Sequence, residues 1–565
     1  MKENKFQAIV SSSLLLAMLL VCTGAGAESG QISVTVREPG RIAPLPCRAW
    51  VTAGGKRLFQ PESESCTPYM KDGSFSCDGR FVMKVPCGEA VPALRSNQGR
   101  DALATKAVIH VERGKEYWPV DKEIVVKKGQ TSKVEIMLKR WVHMSKEGWY
   151  SGDIHCHFGL NDFRVLKQLA LADDVNFEPI LTLWNHQSPM PASGVWPDWS
   201  GGSSVYADAT HLVTLRNQEI ERIGGNAFES VGALLMMGLD RPVKMPPRGS
   251  RYPCDVVLAR TAKETSPHCI IDTDKPIWGE NVVGVALGLF DSVQVCHNHF
   301  HRQTTLQDGR LGWGMADVEN GHDEPNTDEL FHRTNSTYYR FLNCGFRLAA
   351  TGGSAMGVMA VPLGYGRTYA KLEGPLSEAS YLDAIRAGRT FATNGPMLVL
   401  TANGLDSGEV IEYPIDNDDP VWIRAELRSI ERINALELLY NGEVIKKIDL
   451  EDEEPSPILR ESVAMGFKPL RSGWVAARAT FRSPDGHLRQ AHTSPVYVTV
   501  DGKPTASKTD AEYMIRWIDR LLEVSNKPGR YKSDDQRTET QAIFKEARQV
   551  YENIARKAAK VWGDS

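Results

Sequence analysis

The sequence lacks several features that would assign the protein to a broad functional class. Beyond the N-terminal segment, no apolar run approaches the ~20 residues that a membrane-spanning helix needs. The net charge is -4 over 565 residues, and no stripe of Lys and Arg is interleaved with aromatic residues. The sequence therefore predicts no basic surface for binding nucleic acid. A Gly-x-Ser-x-Gly elbow for a serine nucleophile is absent, and the glycine-rich pieces lack the lysine of a phosphate loop. We therefore expect a small-molecule or glycan-like substrate, and the oligomeric state stays open.

Residues 1–27 have the pattern of a secretory signal peptide. Lysines in MKENKF precede the apolar run IVSSSLLLAMLLVCTG, and AGA ends at Ala27 with the small residues that signal peptidase accepts. Lipoprotein processing would acylate Cys22 instead, but Val21 before it is bulkier than that processing usually accepts. The expected location is therefore periplasmic or extracellular, and anchoring at Cys22 is the alternative.

Cysteine is scarce, with ten residues, of which nine remain once Cys22 is removed with the signal. Export makes disulfides plausible. Cys47, Cys66, Cys77 and Cys87 lie close together in the sequence and could form two bridges, whose three possible pairings stay open. Since nine is odd, at least one thiol should stay free.

Hydrophobic patterning divides the mature chain into four regions. Residues 28–140 alternate apolar and polar positions in short runs, which is typical of a β-sandwich. Residues 141–395 alternate strand-like and helical runs, which favours an α/β barrel or wound sheet. Residues 396–502 return to strands with an Asn-Gly hairpin turn, and residues 503–565 contain two helical segments that predict a helical hairpin.

Seven segments of the middle region are predicted to be strands: GDIHCH, EPILTLWNH, HLVTLRNQE, VGALLMMG, HCIIDTD, DSVQVCHNH and GFRLAATGG. In a barrel of parallel strands the ends of such segments share one rim, where active sites lie. Side chains two apart in a strand project together, so His155 and His157 share a face. Cys156 between them points away and is expected to be a small core residue.

Imidazole and carboxylate groups gather at these strand ends. A buried polar group without a partner costs at least roughly 2 kcal/mol, so their convergence needs a shared partner. A divalent metal satisfies all of them, and imidazole together with carboxylate suits Zn²⁺, Mn²⁺ or Fe²⁺, whereas Ca²⁺ would take oxygen alone. The candidate ligands are His155, His157, His186, Glu219, His297 and His299.

These motifs resemble a known enzyme family. GDIHCH, LTLWNH and NQEIERIGGN are similar to the opening motifs of the PHP (polymerase and histidinol phosphatase) metallohydrolases. Over residues 140–400 the chain resembles the exported carbaryl-hydrolase-like (CehA/McbA) branch of that family. The resemblance rests on four segments, WYSGDIHCHFG, GFRLAATGGSAMG, GYGRTYAKL and GRTFATNGPML. The resemblance implies a distorted (β/α)7 barrel with two or three metals, here flanked by two sandwiches and the helical hairpin. It also implies that His155, His157 and His186 are ligands and that Glu219 bridges two metals.

Two positions depart from the family pattern. The chain has Asp274-Lys275-Pro276 where the family often has His-Pro, and Gly353-Ser354-Ala355-Met356 where it often has a Gly-Ser-Asp motif followed by histidine. Two ligands are therefore replaced, for which His297, His299 or Asp274 are candidate substitutes. We expect one to two divalent ions, of zinc, manganese or iron.

Two functions from different classes fit this sequence. The first is an exported hydrolase in which a metal-activated water attacks an ester, carbamate or phosphoester. Asp153 or Asp274 would move the proton, and Lys275 would stabilise the developing negative charge. The alternative is a non-catalytic protein on a degenerate PHP-like barrel that binds a glycan or surface ligand, with Trp196 and Trp199 stacking on sugars.

Overall fold

The computed structural model describes residues 29–63, 65–68, 73–87, 89–95, 101–157, 163–184, 204–222, 231–244, 246, 251–300, 315, 327–450, 457–482 and 487–562. The predicted signal peptide, Cys22, His186, Trp196 and Trp199 lie outside these residues. The described chain is a mixed α/β protein in which strands predominate. None of its helices combines the length and apolar character needed to cross a membrane.

The N-terminal region folds into two sheets around one core. One sheet has the order β10-β1-β6, and the other has the order β4-β5-β2-β8-β7, with β3 on β2 and β9 on β8. Alternation places Val34 of β1 and Val51 of β2 in the shared core. The strands are β1 (Ser29–Arg37), β2 (Cys47–Ala53), β3 (Lys56–Leu58), β4 (Thr67–Pro68), β5 (Phe75–Cys77), β6 (Arg80–Pro86), β7 (Glu89–Arg95), β8 (Asp101–Glu112), β9 (Val120–Lys127) and β10 (Thr131–Met137).

The cysteines of this region are free thiols, as are the others in the described residues. Cys47 of β2 lies opposite Cys77 of β5 in the antiparallel register, with the two Sγ atoms 3.5 Å apart. The two bridges considered from the sequence are therefore not formed among the described residues.

Six of the seven predicted strand segments of the middle region contain a strand, whereas GDIHCH shares only Gly152 with β11 and continues past it as extended backbone. The strands are β11 (Trp149–Gly152), β12 (Phe177–Trp184), β13 (Ser204–Ala207), β14 (Leu212–Arg222), β15 (Gly232–Met237), β16 (Ile270–Asp272), β17 (Ser292–Cys296), β18 (Ala349–Gly352), β19 (Arg367–Lys371) and β20 (Thr390–Thr393). A 3₁₀ turn at Met144–Glu147 precedes them. The helices are α1 (Phe163–Ala172), α2 (Asp255–Thr265), α3 (Asn281–Ala286), α4 (Thr327–Asn343) and α5 (Glu378–Arg386).

Six of the seven strands run in the same direction. Their order in the sheet is β11-β12-β14-β15-β16-β17-β18, with parallel pairing except at β15, which is antiparallel to both neighbours. The expectation of parallel strands throughout is wrong for β15. Only residues 223–231 join β14 to β15, and a parallel crossover needs about a dozen residues or more. The carboxyl ends of the other six strands share one edge.

The same sheet continues into the C-terminal region. From β11 it runs through β19 and β20 to β29, β28, β25 and β26, so hydrogen bonding crosses the predicted boundary at 395/396. A second sheet has the order β22-β21-β24-β27. The strands are β21 (Met397–Ala402), β22 (Leu405–Asp406), β23 (Val410–Tyr413), β24 (Val421–Ser429), β25 (Ala435–Tyr440), β26 (Glu443–Asp449), β27 (Leu459–Phe467), β28 (Gly473–Arg482), β29 (Leu488–Thr493) and β30 (Val496–Val500).

Two long helices close the chain, α6 (Lys508–Ser525) and α7 (Asp534–Trp562). They pack on each other and against the middle region. Trp517 donates a hydrogen bond from Nε1 to the Gly279 carbonyl at 3.0 Å, and the Tyr551 hydroxyl donates to the Val282 carbonyl at 3.0 Å. These buried contacts fix the helix pair to the segment around α3.

Candidate metal centre

The segment that carries the two histidines follows β11 and is held by both of its neighbours. Cys156 forms isolated bridges with Ile180 and Met356, and the His157 amide donates to the Met356 carbonyl at 2.8 Å. The extended backbone keeps the alternation of a strand, so the rings of His155 and His157 lie on one side with centroids 5.1 Å apart. Cys156 points to the other side, into the core beneath α1, as the sequence predicts.

Glu219 of β14 meets the two histidines at the shared edge. His155 Nε2 lies 3.1 Å from His157 Nε2, and His157 Nε2 lies 3.0 Å from Glu219 Oε2. Glu219 Oε1 is 3.9 Å from His155 Nε2. All three side chains are buried, with 1–3% of their surface exposed. The structure therefore brings together two neighbouring histidines and a carboxylate that is distant from them in the sequence.

The group has the geometry and the donor atoms of a metal site. In a tetrahedral centre with metal–nitrogen distances of 2.0–2.1 Å, two ligand nitrogens lie about 3.3 Å apart, close to the observed 3.1 Å. Glu219 Oε2 is buried and makes no well-aligned hydrogen bond among the described residues, despite its 3.0 Å contact with His157 Nε2. Burial raises the pKa of Glu219 to about 7. A cation would satisfy this carboxylate and both imidazoles, so His155, His157 and Glu219 could hold a metal ion.

Asp274 lies behind His155 rather than among the three ligand atoms. A positive φ of 56° turns the backbone after β16, and Asp274 Oδ1 lies 3.2 Å from His155 Nδ1. Burial favours the neutral acid, but the adjacent Lys275 cation and His155 lower the pKa of Asp274. Trp278 Nε1 donates to its Oδ2 at 3.0 Å, and Lys275 Nζ is paired with the same oxygen. The two atoms are in ion-pair contact without a well-aligned hydrogen bond. A carboxylate on this side of the imidazole favours a proton on Nδ1 and leaves Nε2 facing the ligand group.

Asp153 joins two segments of the backbone. Its carboxylate accepts hydrogen bonds from the amides of His155 (3.2 Å), Ser354 (2.9 Å) and Gly364 (2.7 Å), and from the Ser354 hydroxyl. Burial raises the pKa of Asp153, and these hydrogen bonds oppose the rise. Both oxygens are thus engaged in fixing His155 to the loop after β18. These contacts make Asp153 a residue that positions His155, and its role as a proton carrier stays a prediction.

The loop after β18 approaches His155 closely because residue 353 is glycine. A Cβ at Gly353 would lie 2.4 Å from the His155 Cβ and 3.0 Å from its amide nitrogen. The following Ser354 is used by Asp153, and Ala355, at a φ of 51°, has no ligand atom. The described part of this loop therefore supports the ligand segment but adds no ligand to it.

His297 and His299 follow β17, and the imidazole of His297 is engaged with other groups. His297 Nε2 lies 3.0 Å from the Thr334 hydroxyl, and its Nδ1 accepts from the His299 amide at 3.3 Å. Burial, with the Lys275 charge, holds the pKa of His297 well below its ordinary value. Within the described residues, neither histidine belongs to the group of ligand atoms. His186 lies outside the described residues, so its role as a ligand stays a prediction.

Two further residues near the site were missed by sequence reasoning. Glu221 lies two residues after Glu219 on β14, and its Oε2 accepts from Trp184 Nε1 at 3.1 Å. Burial raises the pKa of Glu221 to about 8. Gln294 of β17 is buried beside Gly353, and its amide group has no hydrogen-bond partner in the described residues. The period-two spacing of Glu219 and Glu221 was a usable signal, whereas nothing local singled out Gln294.

Comparisons with models of known protein families, with curated proteins and with solved structures found no match to this chain.

Proposed function

We propose that this protein is an exported metal-dependent hydrolase of the PHP type, acting on an ester, carbamate or phosphoester. The observation that carries the proposal is the buried group of His155, His157 and Glu219, with their ligand atoms within 4.8 Å of one another. The motif resemblance and the strand path β11-β12-β14-β15-β16-β17-β18 support a distorted seven-strand barrel around that group. The proposed cofactor is one or two ions of zinc, manganese or iron.

Among the described residues three side chains offer ligand atoms, a number that fits a catalytic metal better than a purely structural one. Catalytic zinc sites have three protein ligands and an open position, whereas structural sites are closed by four. When bound, such a cation lowers the pKa of a coordinated water to about 7 and supplies hydroxide at neutral pH. His155, His157 and Glu219 would hold the cation, and Asp274 would fix the orientation of His155. Lys275 neutralises Asp274, so stabilisation of negative charge on the substrate by Lys275 is a secondary role in this proposal.

The test combines metal analysis with turnover. The purified mature protein should contain bound metal and hydrolyse aryl esters or phosphoesters, and a chelator should abolish the activity. His155→Ala/His157→Ala should lose both metal and turnover. The matched control is His268→Ala/His332→Ala, which removes two exposed histidines and should retain both. Turnover that survives the loss of His155 and His157 would refute the proposal.

A second candidate function is glycan or surface-ligand binding without catalysis. It is favoured by the loop after β18, where Ala355 stands in place of a carboxylate ligand and Ser354 is occupied by Asp153. In this case the protein would bind metal without turnover, and removal of the metal would leave ligand binding intact. Metal bound at full occupancy with no hydrolysis across both substrate classes would favour this alternative.

A further inference from the structure

A cavity of about 130 Å³ lies where the N-terminal, middle and C-terminal regions meet. Lys115, from the segment after β8, and Tyr365, before β19, both line it, and Arg489 of β29 completes this part of the wall. Within the described part of the chain, His155, His157 and Glu219 are not among the lining residues. The cavity is therefore separate from the candidate metal centre, although Gly364 in its wall donates a hydrogen bond to Asp153.

The charged residues of the wall leave an excess of positive charge. Four cations face three carboxylates, which gives a formal charge of +1. The cations are Arg48, Lys115, Arg367 and Arg489, and the carboxylates are Glu112, Asp173 and Glu431. Two of these cations form ion pairs with carboxylates of the same wall. Arg48 lies between Glu112 and Asp173, and Arg489 Nε is 2.8 Å from Glu431 Oε2.

Arg367 contributes strongly to this excess. Its side chain is 1% exposed. It donates to the carbonyl oxygens of Gly364 at 2.7 Å, Asp173 at 3.0 Å and Asp174 at 3.3 Å. These contacts satisfy its donors with neutral dipoles of the backbone rather than with carboxylates. The buried Glu116 carboxylate is close enough to interact with this cation, so Arg367 adds to the positive potential of the wall without being an isolated charge.

Two further cations converge on Tyr365 at the same wall. Lys115 Nζ lies 4.7 Å from the centre of the Tyr365 ring and 2.8 Å from the Asn394 carbonyl oxygen. Arg489 Nη1 donates to the Tyr365 hydroxyl at 2.6 Å. Ammonium and guanidinium groups around one aromatic side chain can donate several charge-assisted hydrogen bonds to an oxyanion.

We propose that this cavity is a binding site for a small oxyanion, a carboxylate or a phosphate. The volume greatly exceeds the ~10–15 Å³ that one water requires, so a ligand of several heavy atoms fits. Lys115 and Arg489 bind the anion, and Arg367 sets the positive potential of the wall. The site does not depend on the proposed hydrolase activity, because no ligand of the metal group contributes to it.

The test is calorimetric titration of the mature protein with inorganic phosphate and, separately, with acetate. Binding of either anion at millimolar concentration is expected, and the two titrations distinguish a phosphate site from a carboxylate site. Lys115→Met should weaken that binding by about tenfold or more, since an ionic hydrogen bond is lost. The control Lys122→Met removes an exposed lysine of β9 and should leave the affinity unchanged.

Three further variants separate the anion site from its alternatives. His155→Ala/His157→Ala should keep the anion affinity of the wild type, which distinguishes this site from phosphate bound at a metal. Arg489→Lys keeps the charge and should lose less affinity than Arg489→Gln, so that a folding defect is not mistaken for lost binding. Absence of binding by both anions, or equal affinity of wild type and Lys115→Met, would overturn the proposal.

Discussion

Asp274 Oδ1 lies 3.2 Å from His155 Nδ1, on the side of the imidazole opposite to His157 and Glu219. The contact places a buried carboxylate behind a candidate metal ligand. Such partners fix the ring orientation and raise the basicity of the ligand. The sequence suggests Asp274 as a ligand or a proton carrier, which stays a prediction. In the structure its position behind His155 leaves Nε2 facing His157 and Glu219.

Asp274→Asn should weaken metal binding while leaving the fold intact. The amide cannot supply the negative charge that favours a proton on His155 Nδ1, so we expect an affinity loss of about 10–100-fold. Competition with a chromogenic chelator measures the effect. Asp240→Asn, at a more exposed carboxylate, is the control and should bind metal as the wild type does. An unchanged affinity in Asp274→Asn would show that the contact with His155 has no role in metal binding.

Glu219→Gln should have opposite effects on metal binding and on the stability of the metal-free protein. A buried carboxylate without a hydrogen-bond partner at Oε2 among the described residues destabilises the metal-free fold. The neutral amide removes that cost, so the melting temperature in chelator should be equal to or higher than that of the wild type. Metal binding should fall sharply because a ligand charge is lost. Thermal melts with and without zinc give both values, and a wild-type response to zinc would contradict the assignment of Glu219.

Gly353→Ala should displace His155 within the candidate metal centre by steric clash, without removing any ligand atom. The added methyl would lie 2.4 Å from the His155 Cβ, so the loop or the histidine must move. Overpacking of this kind costs roughly 1–3 kcal/mol in the free energy of unfolding. Chemical denaturation should show that loss, and metal affinity should fall with it. Ser354→Ala is a useful companion, because it removes one of the hydrogen bonds to Asp153 without adding volume. Wild-type stability in Gly353→Ala would show that the loop accommodates a methyl group.

The stability of the protein should depend on pH through Glu280. Burial, together with the nearby Asp255 carboxylate, raises the pKa of Glu280 to about 7 from an ordinary value of 4.5. The folded state then holds the proton more tightly than the unfolded chain. This contribution to stability is present in full below the unfolded pKa of 4.5 and is lost as the pH rises through about 7.

Glu280→Gln should therefore remove part of the stability loss between pH ~5 and pH ~8, on the order of 1–3 kcal/mol. The side-chain carbonyl oxygen of the introduced glutamine can still accept from the Asp255 amide, as the carboxylate of Glu280 does at 2.8 Å. Denaturant titrations at several pH values measure the effect. Glu264→Gln, at an exposed position of α2, should follow the wild-type profile. A parallel pH dependence in Glu280→Gln and wild type would assign the loss to other groups.

The local periodicity of apolar residues predicted much of the secondary structure. Six of the seven strand segments of the middle region, the helices α6 and α7 and the turn at Asn441-Gly442 follow from apolar spacing and turn residues in the sequence. The shared face of His155 and His157 also follows from alternation. These features depend on residues near one another along the chain, which is why a single sequence predicts them.

The reversed direction of β15 was not predicted, because strand direction depends on which neighbours pair and on the length of their connection. The supporting contacts of Asp274 and Asp153 were not predicted for a related reason. The positive φ at Asp274 belongs to the segment after β16, and three of the four hydrogen bonds to Asp153 come from the loop after β18. No local pattern distinguishes a carboxylate that binds a metal from one that supports its ligand.

The sequence by itself determined where strands and helices form and that two imidazoles project together, since both depend on the alternation or periodicity of neighbouring side chains. Only the tertiary structure decided that Glu219 meets those imidazoles, that Asp274 lies behind one of them and that the cavity beside Tyr365 draws its cations from three regions. Those contacts join distant segments, and their distances are fixed by the packing of the whole sheet.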